Sequence, residues 1–510
     1  MCGFVVVRSK KPTSSVILQK MQKNIEHRGN DDSGIVLIDK NNNFKIFDSN
    51  ESNEEFQTGF AFQRLSIQDL SLGGHQPMLS RSNRYLIVFN GEIYNFKELR
   101  KDLIKSGHQF YNNSDTEVVL KLYELHGENM LSQLNGMFSL VIFDRLKDEF
   151  FIARDRLGIK PLYYFYKDNF FFIASEIKAF KAHPNFKVNF NSDKTDEYLM
   201  FGYIAGEETL FANVKECLPG HYIKFYKDKL TITKYWDNNK GNNQSENFGA
   251  QEKFINLLDS SINYQLISDV EVGGQLSGGI DSSLISSIAA KSNKSFKKTF
   301  SVIFENESIN EEKYIDIINK KYCLHENKIL MKSRDIVDNL EKATWSFDNP
   351  LSQPNAIGIY LLAKEAKKSL KVLLSGEGAD EIFGGYDRYN PARIFSKFGI
   401  IGQAINNFRS KKMKRDGNDL ESLLVCLSSR SKESEIKKIF KDFKLSRAIN
   451  SRLKILKQEM SGSTFEKFLN YEQKTYLNEL LLRQDKMCMA HGIENRVPFL
   501  DHRIAEFSKN

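Results

Sequence analysis

Residues 276–291 read "LSGGIDSSLISSIAAK", a loop of small residues that follows an apolar strand and precedes a helical pattern. Because Ser277, Gly278 and Gly279 have small side chains, the backbone N–H groups of the loop can approach an anion closely. The following helix points the positive end of its dipole at the same place. A glycine-rich helix start without a ligand is the alternative. The whole SGGxDS pattern at a strand–helix junction favours phosphate binding, with Ser282 as a hydroxyl donor.

The type of phosphate chemistry follows from what accompanies the loop. A lysine-containing GxxxxGK[ST] loop appears nowhere in the chain. Chemistry at the α-phosphate of a nucleotide, with release of pyrophosphate, therefore fits better than transfer of the γ-phosphate. Asp281 is unexpected beside phosphates unless a cation is also bound, so the loop predicts Mg²⁺ held by acidic side chains and phosphate oxygens.

A second strand end, "VLLSGEGADEIFGGY" (372–386), has the same organisation. A serine and a glycine end the strand, and Glu377 and Asp380 follow. In a parallel sheet both loops lie at the carboxyl edge of the strands, where ligands bind. We therefore expect Asp380 and Asp281 to share metal ions, and Glu377 to be available as a base. The alternative is an acidic helix start that complements the helix dipole.

The rhythm of strands and helices changes along the chain. Apolar runs typical of strands occur in the first 190 residues, namely "YLIVFN" (85–90), "FSLVIFD" (138–144) and "NFFFIAS" (169–175). A helical pattern covers 115–127, and an Asn- and Gly-rich stretch at 235–251 is the best linker. Beyond the linker, strands alternate with helices, and beyond about residue 390 the chain is mostly helical. These patterns predict an α+β unit with antiparallel sheets, then an α/β unit with a parallel sheet.

Composition narrows the function classes. The chain has 510 residues, 41% of them hydrophobic, which suffices for ordinary cores in several domains. The net charge of +8 is too small to argue for nucleic acid, and the basic stretch at 408–420 is expected to be a solvated face. No apolar run approaches the roughly 18 residues that span a bilayer, so no membrane partner is expected. Five scattered cysteines without a CxxC pair fit a reducing cytoplasm and argue against disulfides or zinc.

Cys2 directly follows the initiator methionine, an unusual place for a residue type that is mostly buried. A small residue at this position normally permits removal of Met1. The thiol would then share its residue with an α-amine whose pKa is about 7.7–8.0. N-terminal nucleophiles have this arrangement, in which the amine serves as general base. An incidental thiol is the alternative for Cys2 taken alone.

Three further stretches offer anchors for an amino acid. In "FNGEIYN", Asn90 and the Gly91 N–H are candidate oxyanion donors, and Glu92 is an acceptor beside them. Arg64, in "RLSI", suits a carboxylate. Asp115, in "NSDTEV", suits an ammonium group. An amino acid carries both of these groups.

In this order, the motifs resemble the family of glutamine-hydrolysing asparagine synthetases, of the class II amidotransferase type. The resemblance extends from Cys2 to about Phe507 and is weaker over 400–465. It is carried by "MCGF", "EHRGNDDSG" (26–34), "RLSIQDLS" (64–71), "HQPM" (75–78), "FNGEIYN" (89–95), "SDTEV" (114–118), "ARDRLGIKPLYY" (153–164), "LPGHY" (218–222), "LSGGIDSS" (276–283), "SGEGADEIFGGY" (375–386) and "RQDKMCMAHGIENRVPFLDHR" (483–503).

The resemblance implies a particular domain order. An N-terminal nucleophile hydrolase domain, with antiparallel sheets sandwiched between helices, would occupy 2–200. A connecting segment would occupy 201–250. An α/β synthetase domain of the ATP-pyrophosphatase type, with a helical carboxyl-terminal part, would occupy 251–510.

The resemblance also implies the chemistry. Cys2 would attack the side-chain amide of glutamine, and the ammonia would pass through an internal tunnel. ATP would activate an acceptor carboxylate as an acyl-adenylate, giving asparagine, glutamate, AMP and pyrophosphate if the acceptor is aspartate. Glu377 would aid adenylate formation or the attack of ammonia. The expected partners are therefore the small-molecule substrates glutamine, ATP and the acceptor acid. Whether the chain forms a homodimer is left open.

The site residues follow from the same resemblance. Asn90 and Gly91 would complete the catalytic set around Cys2, and Asp281 and Asp380 would hold Mg²⁺. The implied glutamine-binding residues are Arg64, Leu65, Ser66, Ile67, Gln68, Asn90, Gly91, Glu92 and Asp115. The implied ATP-binding residues are Gln275, Ser277, Gly278, Gly279, Asp281, Ser282, Val302, Ser375 and Gly376.

The segment where the acceptor is expected, "FDNPLSQPNAIGIY" (347–360), departs from the family pattern. The family usually has an acidic residue at the position of Asn349, and an Asp and a Ser near Gln353 and Asn355. Another acceptor carboxylate, such as a uronic acid in surface polysaccharide synthesis, is therefore an alternative.

Two further alternatives are less well supported. The chain stops at Asn510, before a lysine that the family usually adds to the adenylate site, so a glutaminase-only protein stays open. ATP-dependent tRNA thiolation also uses SGGxDS loops, but the absence of CxxC and the modest charge argue against it.

Overall fold

Three β-sheets organise the chain. The amino-terminal part holds a seven-stranded and a six-stranded antiparallel sheet, and the carboxyl-terminal part holds a five-stranded parallel sheet. The computed structural model describes residues 2–47, 54–238, 249–305, 310–397, 420–459 and 462–509.

The described strands and helices alternate as follows. The strands are β1 (Gly3–Ser14), β2 (Asp32–Ile38), β3 (Phe44–Ile46), β4 (Glu55–Arg64), β5 (Met78–Leu79), β6 (Tyr85–Ile93), β7 (Gly136–Asp144), β8 (Glu149–Arg154), β9 (Tyr163–Lys167), β10 (Phe170–Ala174), β11 (Val214–Glu216), β12 (His221–Tyr226), β13 (Lys229–Lys234), β14 (Val272–Gln275), β15 (Lys298–Phe304), β16 (His325–Met331), β17 (Val372–Leu374) and β18 (Glu494–Arg496). The first ten helices are α1 (Ser15–Lys23), α2 (Phe96–Lys105), α3 (Asp115–His126), α4 (Thr195–Phe201), α5 (Ala250–Gln265), α6 (Ile280–Ser292), α7 (Glu312–Tyr322), α8 (Ser333–Phe347), α9 (Asn355–Ala366) and α10 (Ala379–Phe383). The later helices are α11 (Leu420–Leu427), α12 (Glu433–Ile439), α13 (Leu445–Lys457), α14 (Thr464–Lys474), α15 (Tyr476–Met489) and α16 (His502–Phe507).

β1 shows why the two antiparallel sheets stack. Its side chains alternate between two faces, as in any strand. Phe4 and Val6 enter the apolar core between the sheets, while Val5 and Val7 pack outward, where α1 contributes Leu18. Helices α2 and α3 cover the outer face of the six-stranded sheet in the same way. The result is a helix–sheet–sheet–helix sandwich, which confirms the predicted α+β class.

The predicted elements of this half lie where the sequence placed them. The three predicted strands fall within or overlap β6, β7 and β10, and the predicted helix at 115–127 is α3. The segment 201–250, expected to be a connection, contributes three strands to the sheets. β11 pairs with β9, β12 pairs with β8, and β13 pairs with β12. The antiparallel unit therefore extends to Lys234.

The parallel sheet has the strand order β16-β15-β14-β17-β18. From β14 the chain passes through α6 to β15 on one side, and it later returns through α8 and α9 to β17 on the other side. The loops after β14 and β17 therefore flank the point where the strand order reverses. This point is a common ligand position in open α/β sheets, and the topology confirms the predicted parallel sheet.

The carboxyl-terminal helices form a core of their own. Leu424, Leu456 and Phe468 pack with Phe201 of α4, so a helix from the end of the antiparallel half joins this core. Residues 390–397 are also helical, whereas the basic stretch at 408–420 lies, but for its last residue, outside the described residues. No helix in the described ranges is long and apolar enough to cross a bilayer.

Apolar side chains from both halves meet at one interface. Leu157 and Ile159 of the antiparallel half pack with Leu477, Leu481 and Val497 of the other half. This cluster buries apolar surface from both units, which holds them together.

Arg28 lies fully buried at the same interface. Its Nη1 donates to Glu176 Oε1 (2.7 Å), its Nη2 to Asp485 Oδ2 (2.9 Å), and its Nε to the main-chain oxygen of Cys2 (2.9 Å). Burial lowers the pKa of Arg28, but the carboxylates of Asp485 and Glu176 raise it above its ordinary value overall. The guanidinium therefore stays charged and ties Cys2 to α15 of the other half.

Replacing Arg28 with Met should destabilise the protein by roughly 3–5 kcal/mol, because Glu176 and Asp485 each lose a buried cationic partner and the main-chain oxygen of Cys2 loses its donor. Urea unfolding followed by circular dichroism measures the loss. Lys105, which pairs with Asp102 on the exposed face of α2, provides the control. Lys105→Met should change the free energy of unfolding by less than about 0.5 kcal/mol. Equal losses in the two variants would contradict the role given to Arg28.

Candidate active site

Cys2 is fixed at the start of β1 by hydrogen bonds on both sides. Its main-chain N donates to Asn90 Oδ1 at 3.0 Å, and its main-chain oxygen accepts from Arg28. Only 8% of the residue is exposed, and it borders the core between the two sheets. The amino end of the chain is therefore ordered and lies inside the fold.

The surroundings of the Cys2 thiol push its pKa in two directions. Burial raises the pKa and is the largest effect. The positive amino terminus, the Leu65 backbone N–H and the Arg64 guanidinium lower it. The Leu65 N–H and the Arg64 guanidinium thus lie near the sulfur, and they would stabilise a thiolate once one forms.

Asn90 and Gly91 lie side by side on β6, opposite Ser139 and Phe138 of β7. Asn90 Nδ2 donates to Ser139 Oγ at 3.5 Å, while its Oδ1 faces the Cys2 nitrogen. A Cβ atom at Gly91 would lie 2.2 Å from the main-chain oxygen of Met137. Only glycine fits this strand position, so the backbone beside Asn90 is held at a fixed distance from β7.

Two buried carboxylates lie next to this strand. Glu92 Oε2 accepts a hydrogen bond from Gln68 and lies 3.6 Å from Arg496 Nη2. Asp115 Oδ2 accepts from the Ile93 N–H at 2.9 Å. Burial raises the pKa of Glu92 well above its usual value and raises that of Asp115 to about 6. Such carboxylates gain from an added cation, which agrees with the predicted ammonium site.

Arg64 organises the loop that follows it. Its guanidinium donates to the main-chain oxygens of Ser71 (2.8 Å), Gln68 (3.4 Å) and Asp69. Leu65 and Ile67 enter an apolar cluster with the carboxyl-terminal half. The Ser66 N–H, likewise predicted to be near the ligand, donates to an aspartate at 2.7 Å. The loop 65–71 thus has a fixed shape beside Cys2, and each of its predicted residues lies at this end of the interface.

The loop after β14 is closed by its own serines. The Ser277 N–H donates to Ser282 Oγ at 3.2 Å, and the two hydroxyls lie 3.0 Å apart. Gly278 has φ +93°, and a Cβ there would lie 2.6 Å from Glu311 Cβ. The predicted glycine is therefore needed both for its conformation and for its lack of a side chain.

The two acid-rich loops touch each other. A Cβ atom at Gly376 would lie 2.7 Å from the Ser282 N and 3.0 Å from Asp281 Cβ. Burial raises the pKa of Asp281, and the Asp380 charge raises it further. Burial likewise raises the pKa of Glu377, which Arg483 lowers and both aspartates raise. The predicted residues Asp281, Asp380 and Glu377 therefore meet at one edge of the sheet.

The remaining predicted nucleotide residues are held by neighbours that the sequence did not single out. Gln275 Oε1 accepts from Gln484 Nε2 (2.6 Å), and Ser375 Oγ accepts from Asn495 Nδ2 (3.0 Å). Val302 lies on β15, where it packs with the helix α9 and the core of the parallel sheet. Gln484 and Asn495 both belong to the quoted motif at 483–503, so the motif carried the signal but not the contacts.

The acceptor segment contacts two arginines. Arg483 of α15 donates to Gln353 Oε1, and Arg430 donates to Ser352 Oγ. Asn349 Oδ1 is buried without a hydrogen-bond partner in the described residues. Arg430 lies outside every quoted motif, so nothing in the sequence pointed to it.

Comparison with known proteins relates both sites to one family. A profile described as a glutamine amidotransferase domain matches residues 1–236, and one described as asparagine synthase matches residues 253–510. The Bacillus subtilis (strain 168) protein named asparagine synthetase 1 (glutamine-hydrolyzing) is 33% identical over 525 residues, covering 98% of this chain and 79% of that relative. The chain belongs to the glutamine-hydrolysing asparagine synthetase family. It is accordingly a glutamine-hydrolysing ligase, and use of ATP fits its synthase domain.

Other relatives also match over most of the chain. Asparagine synthetase 3 (glutamine-hydrolyzing) of the same organism is 31% identical, with 100% of this chain and 80% of the relative covered. A Penicillium rubens protein named amidase chyE is 28% identical, with 89% of this chain and 74% of that protein covered. The family membership rests on the whole chain rather than on one domain.

Gly91→Ala should lower glutaminase activity at least roughly tenfold, because the added methyl meets the backbone of β7 and must displace the strand that carries Asn90. Glutamate release from glutamine measures the effect. Gly358 of α9 is the control, since a Cβ there would have ordinary contacts of 3.5 Å or more. Gly358→Ala should keep full activity, and an unchanged rate in Gly91→Ala would contradict the tight fit.

Proposed function

We propose that the protein hydrolyses glutamine at Cys2 and uses the ammonia to amidate a carboxylic acid activated by ATP, with aspartate as the first candidate acceptor. The observation that carries the proposal is the pairing of two sites in one chain. Cys2 lies beside Asn90 at one end of a buried interface. The SGGxDS loop meets an acid-rich loop at the other.

The glutaminase half-reaction begins at Cys2. After removal of Met1, which lies outside the described residues, the Cys2 nitrogen is an α-amine that takes the thiol proton. The sulfur attacks the amide carbon of glutamine, and the proton passes to the leaving nitrogen, which departs as ammonia. Water then hydrolyses the thioester, which gives glutamate and restores the thiol. Asn90 and the Gly91 N–H would stabilise the oxyanion.

The ammonium and carboxylate groups of glutamine would be held on opposite sides. Glu92 and Asp115 are the buried carboxylates that fit an ammonium group. Arg64 supplies positive charge near the sulfur, and the loop it shapes offers N–H groups to the substrate. Burial of these groups strengthens each electrostatic contact.

The synthetase half-reaction would occur where Asp281, Asp380 and Glu377 meet. An oxygen of the acceptor carboxylate attacks the α-phosphorus of ATP, and pyrophosphate leaves. Ammonia attacks the acyl carbon, a proton passes to Glu377, and AMP leaves with the bond to its oxygen broken. Burial raises the pKa of Glu377, which makes its carboxylate a better proton acceptor.

Mg²⁺ fits the two aspartates in part. In the described part of the chain no group of three or more His, Cys, Asp or Glu side chains is arranged as a metal site. Mg²⁺ in nucleotide sites is commonly held by one or two carboxylates plus phosphate oxygens, so Asp281 and Asp380 would suffice with ATP. The ion, when bound, would offset the negative charge of the triphosphate.

Arg496 supports an ammonia passage through the interface. Its Nη2 lies 3.6 Å from Glu92, and its main-chain oxygen accepts from the Ser375 N–H at 2.9 Å. One residue therefore contacts a residue proposed for glutamine and a residue proposed for ATP. A passage beside it would keep ammonia from bulk water.

A second acceptor class is favoured by the segment 349–355. This segment carries no acidic residue, and Asn349, Gln353 and Asn355 are neutral. An acid other than aspartate, such as a uronic acid, is therefore the second candidate. The cytoplasm is the proposed compartment, since no cysteine in the described ranges forms a disulfide.

Purified protein should be incubated with glutamine, ATP and Mg²⁺ and either aspartate or a uronic acid. Pyrophosphate release and the amide product identify the acceptor. If aspartate gives neither product and the uronic acid gives an amide, the uronic acid replaces aspartate as the candidate acceptor. Glutamate release without any use of ATP would leave a glutaminase alone.

The two half-reactions should separate by mutation. Cys2→Ala should abolish use of glutamine but keep pyrophosphate release with ammonium chloride, because the thiol acts only on glutamine. Asp281→Ala should cut pyrophosphate release by roughly 10²–10³-fold and spare glutamine hydrolysis. Loss of both activities in either folded variant would contradict the separation.

Glutamine binding should weaken in acid. The Asp115 pKa of about 6 means that the carboxyl becomes protonated below this pH and loses its attraction for the ammonium group. The dissociation constant of glutamine should rise by about tenfold per pH unit below about pH 6. Calorimetric titration of the Cys2→Ala variant measures it without turnover. Added to Cys2→Ala, Asp115→Asn should weaken glutamine binding and reduce its pH dependence. A flat binding profile from pH 7 to 5 in Cys2→Ala alone would contradict the role of Asp115.

A further inference from the structure

Two arginines from different helical segments converge on consecutive residues of the acceptor segment. Arg483 holds Gln353, and Arg430, from the loop between α11 and α12, holds Ser352. Arg483 is 4% exposed, and its Nε has no hydrogen-bond partner in the described residues. Arg430 is open to solvent, so a ligand can approach the pair from its side.

Neither guanidinium has a full counter-ion in the part of the chain described. Arg483 donates to a neutral amide and Arg430 to a neutral hydroxyl, and neither forms an ion pair with a carboxylate there. Desolvation lowers the pKa of Arg430, Glu479 raises it, and the charge of Arg483 lowers it. Two like charges near each other without an anion are unfavourable.

Among the described residues, Glu479 of α15 is an acid whose charge acts on both arginines. Burial raises the pKa of Glu479 to about 7, although both arginines lower it. It is therefore only partly ionised at neutral pH. The segment 349–355 adds no acid, and Asp348 is already paired with Lys178 and Lys486. Positive charge thus remains at this place.

The pair also lies close to the proposed chemistry. The positive charge of Arg483 lowers the pKa of Glu377, so the two side chains are near one another. An anion held by the pair would sit beside the acid that ATP activates. Arg430 is exposed and contacts Ser352, so the pair can hold a group other than the reacting carboxylate.

We propose that Arg430 and Arg483 bind a second anionic group of the acceptor, so that the acceptors are acids bearing a further carboxylate or phosphate. This inference rests on the proposed amidation of an acid. It restricts the acceptor to acids with two anionic groups. Aspartate meets this condition through its second carboxylate, and a uronic acid meets it only when it carries a phosphate.

The test uses two pairs of acids that differ by one anionic group. Aspartate is compared with β-alanine, and glucuronate 1-phosphate is compared with glucuronate. Binding to the full chain is measured by saturation-transfer NMR with ATP analogue and Mg²⁺ present, and pyrophosphate release with ammonium chloride is measured in parallel. In one pair or both, we expect the acid with the additional anionic group to bind at least about tenfold more tightly than the acid without it.

Variants assign the preference to the arginines. Arg430→Met should weaken binding of the acid that carries the second anionic group and so remove the preference, and Arg430→Lys should restore part of it. Arg334, exposed on α8, is the matched control, and Arg334→Met should keep the wild-type preference. Because Arg430 is solvent-exposed, its variants are expected to fold.

Each outcome decides the inference. Equal binding within both pairs, no binding of any of the four acids, or a preference unchanged in Arg430→Met would overturn it. If the acid with the additional anionic group binds more tightly, and this depends on Arg430, but no pyrophosphate is released, the binding site is upheld and the proposed amidation is contradicted. Pyrophosphate release at equal rates with both acids of each pair would contradict this inference but not the proposed amidation.

Discussion

The guanidinium of Arg28 is the contact on which the two halves of the chain depend. It holds the main chain of Cys2, a carboxylate of its own half and Asp485 of the other half at once. A buried cation persists only where its partners satisfy it from several sides. Cys2, the proposed nucleophile, is therefore fixed by the same side chain that fixes the position of α15. Correct docking of the two halves and correct placement of Cys2 are a single event.

The rest of the interface extends this arrangement in both directions. Arg496 faces Glu92, a residue of the proposed glutamine site, and its backbone pairs with Ser375 of the proposed ATP site. Further along, Asp348 accepts two lysines, one from each half. Charges of opposite sign thus alternate through a region from which water is largely excluded. Such a region is rigid, which suits the passage of ammonia that we propose between the two sites.

Local sequence was enough for the fold class and for most of the proposed site residues. The small residues at 277–279 and the acids at 377–380 follow strand ends, and a parallel sheet brings strand ends to one edge. The sequence predicted a functional backbone position at Gly91 and at Gly278, because each lies in a polar motif at a predicted strand end. What they fit against was not predictable, since the obstructing atoms belong to β7 and to Glu311.

The contacts between halves could not be predicted, because they join distant parts of the chain. Arg28 and Asp485 are 457 positions apart, and both appear in motifs whose local pattern gives no partner. Arg430 lies in a stretch with no motif and acquires meaning only beside Ser352. The strands of 201–250 were likewise missed, because short strands near a Gly- and Asn-rich stretch resemble a connection until their pairing with β8 and β9 is known.

The helix α15 is buried on every side from Leu477 to Met489. Along it, Arg483, Gln484, Asp485 and Lys486 each turn to a different neighbour: the acceptor segment, β14, Arg28 and Asp348. Successive helical residues are separated by about 100°. Insertion or deletion of one residue here would rotate all later side chains away from their neighbours together. A change in the length of this helix would therefore disrupt more contacts at once than a change in any one of its residues.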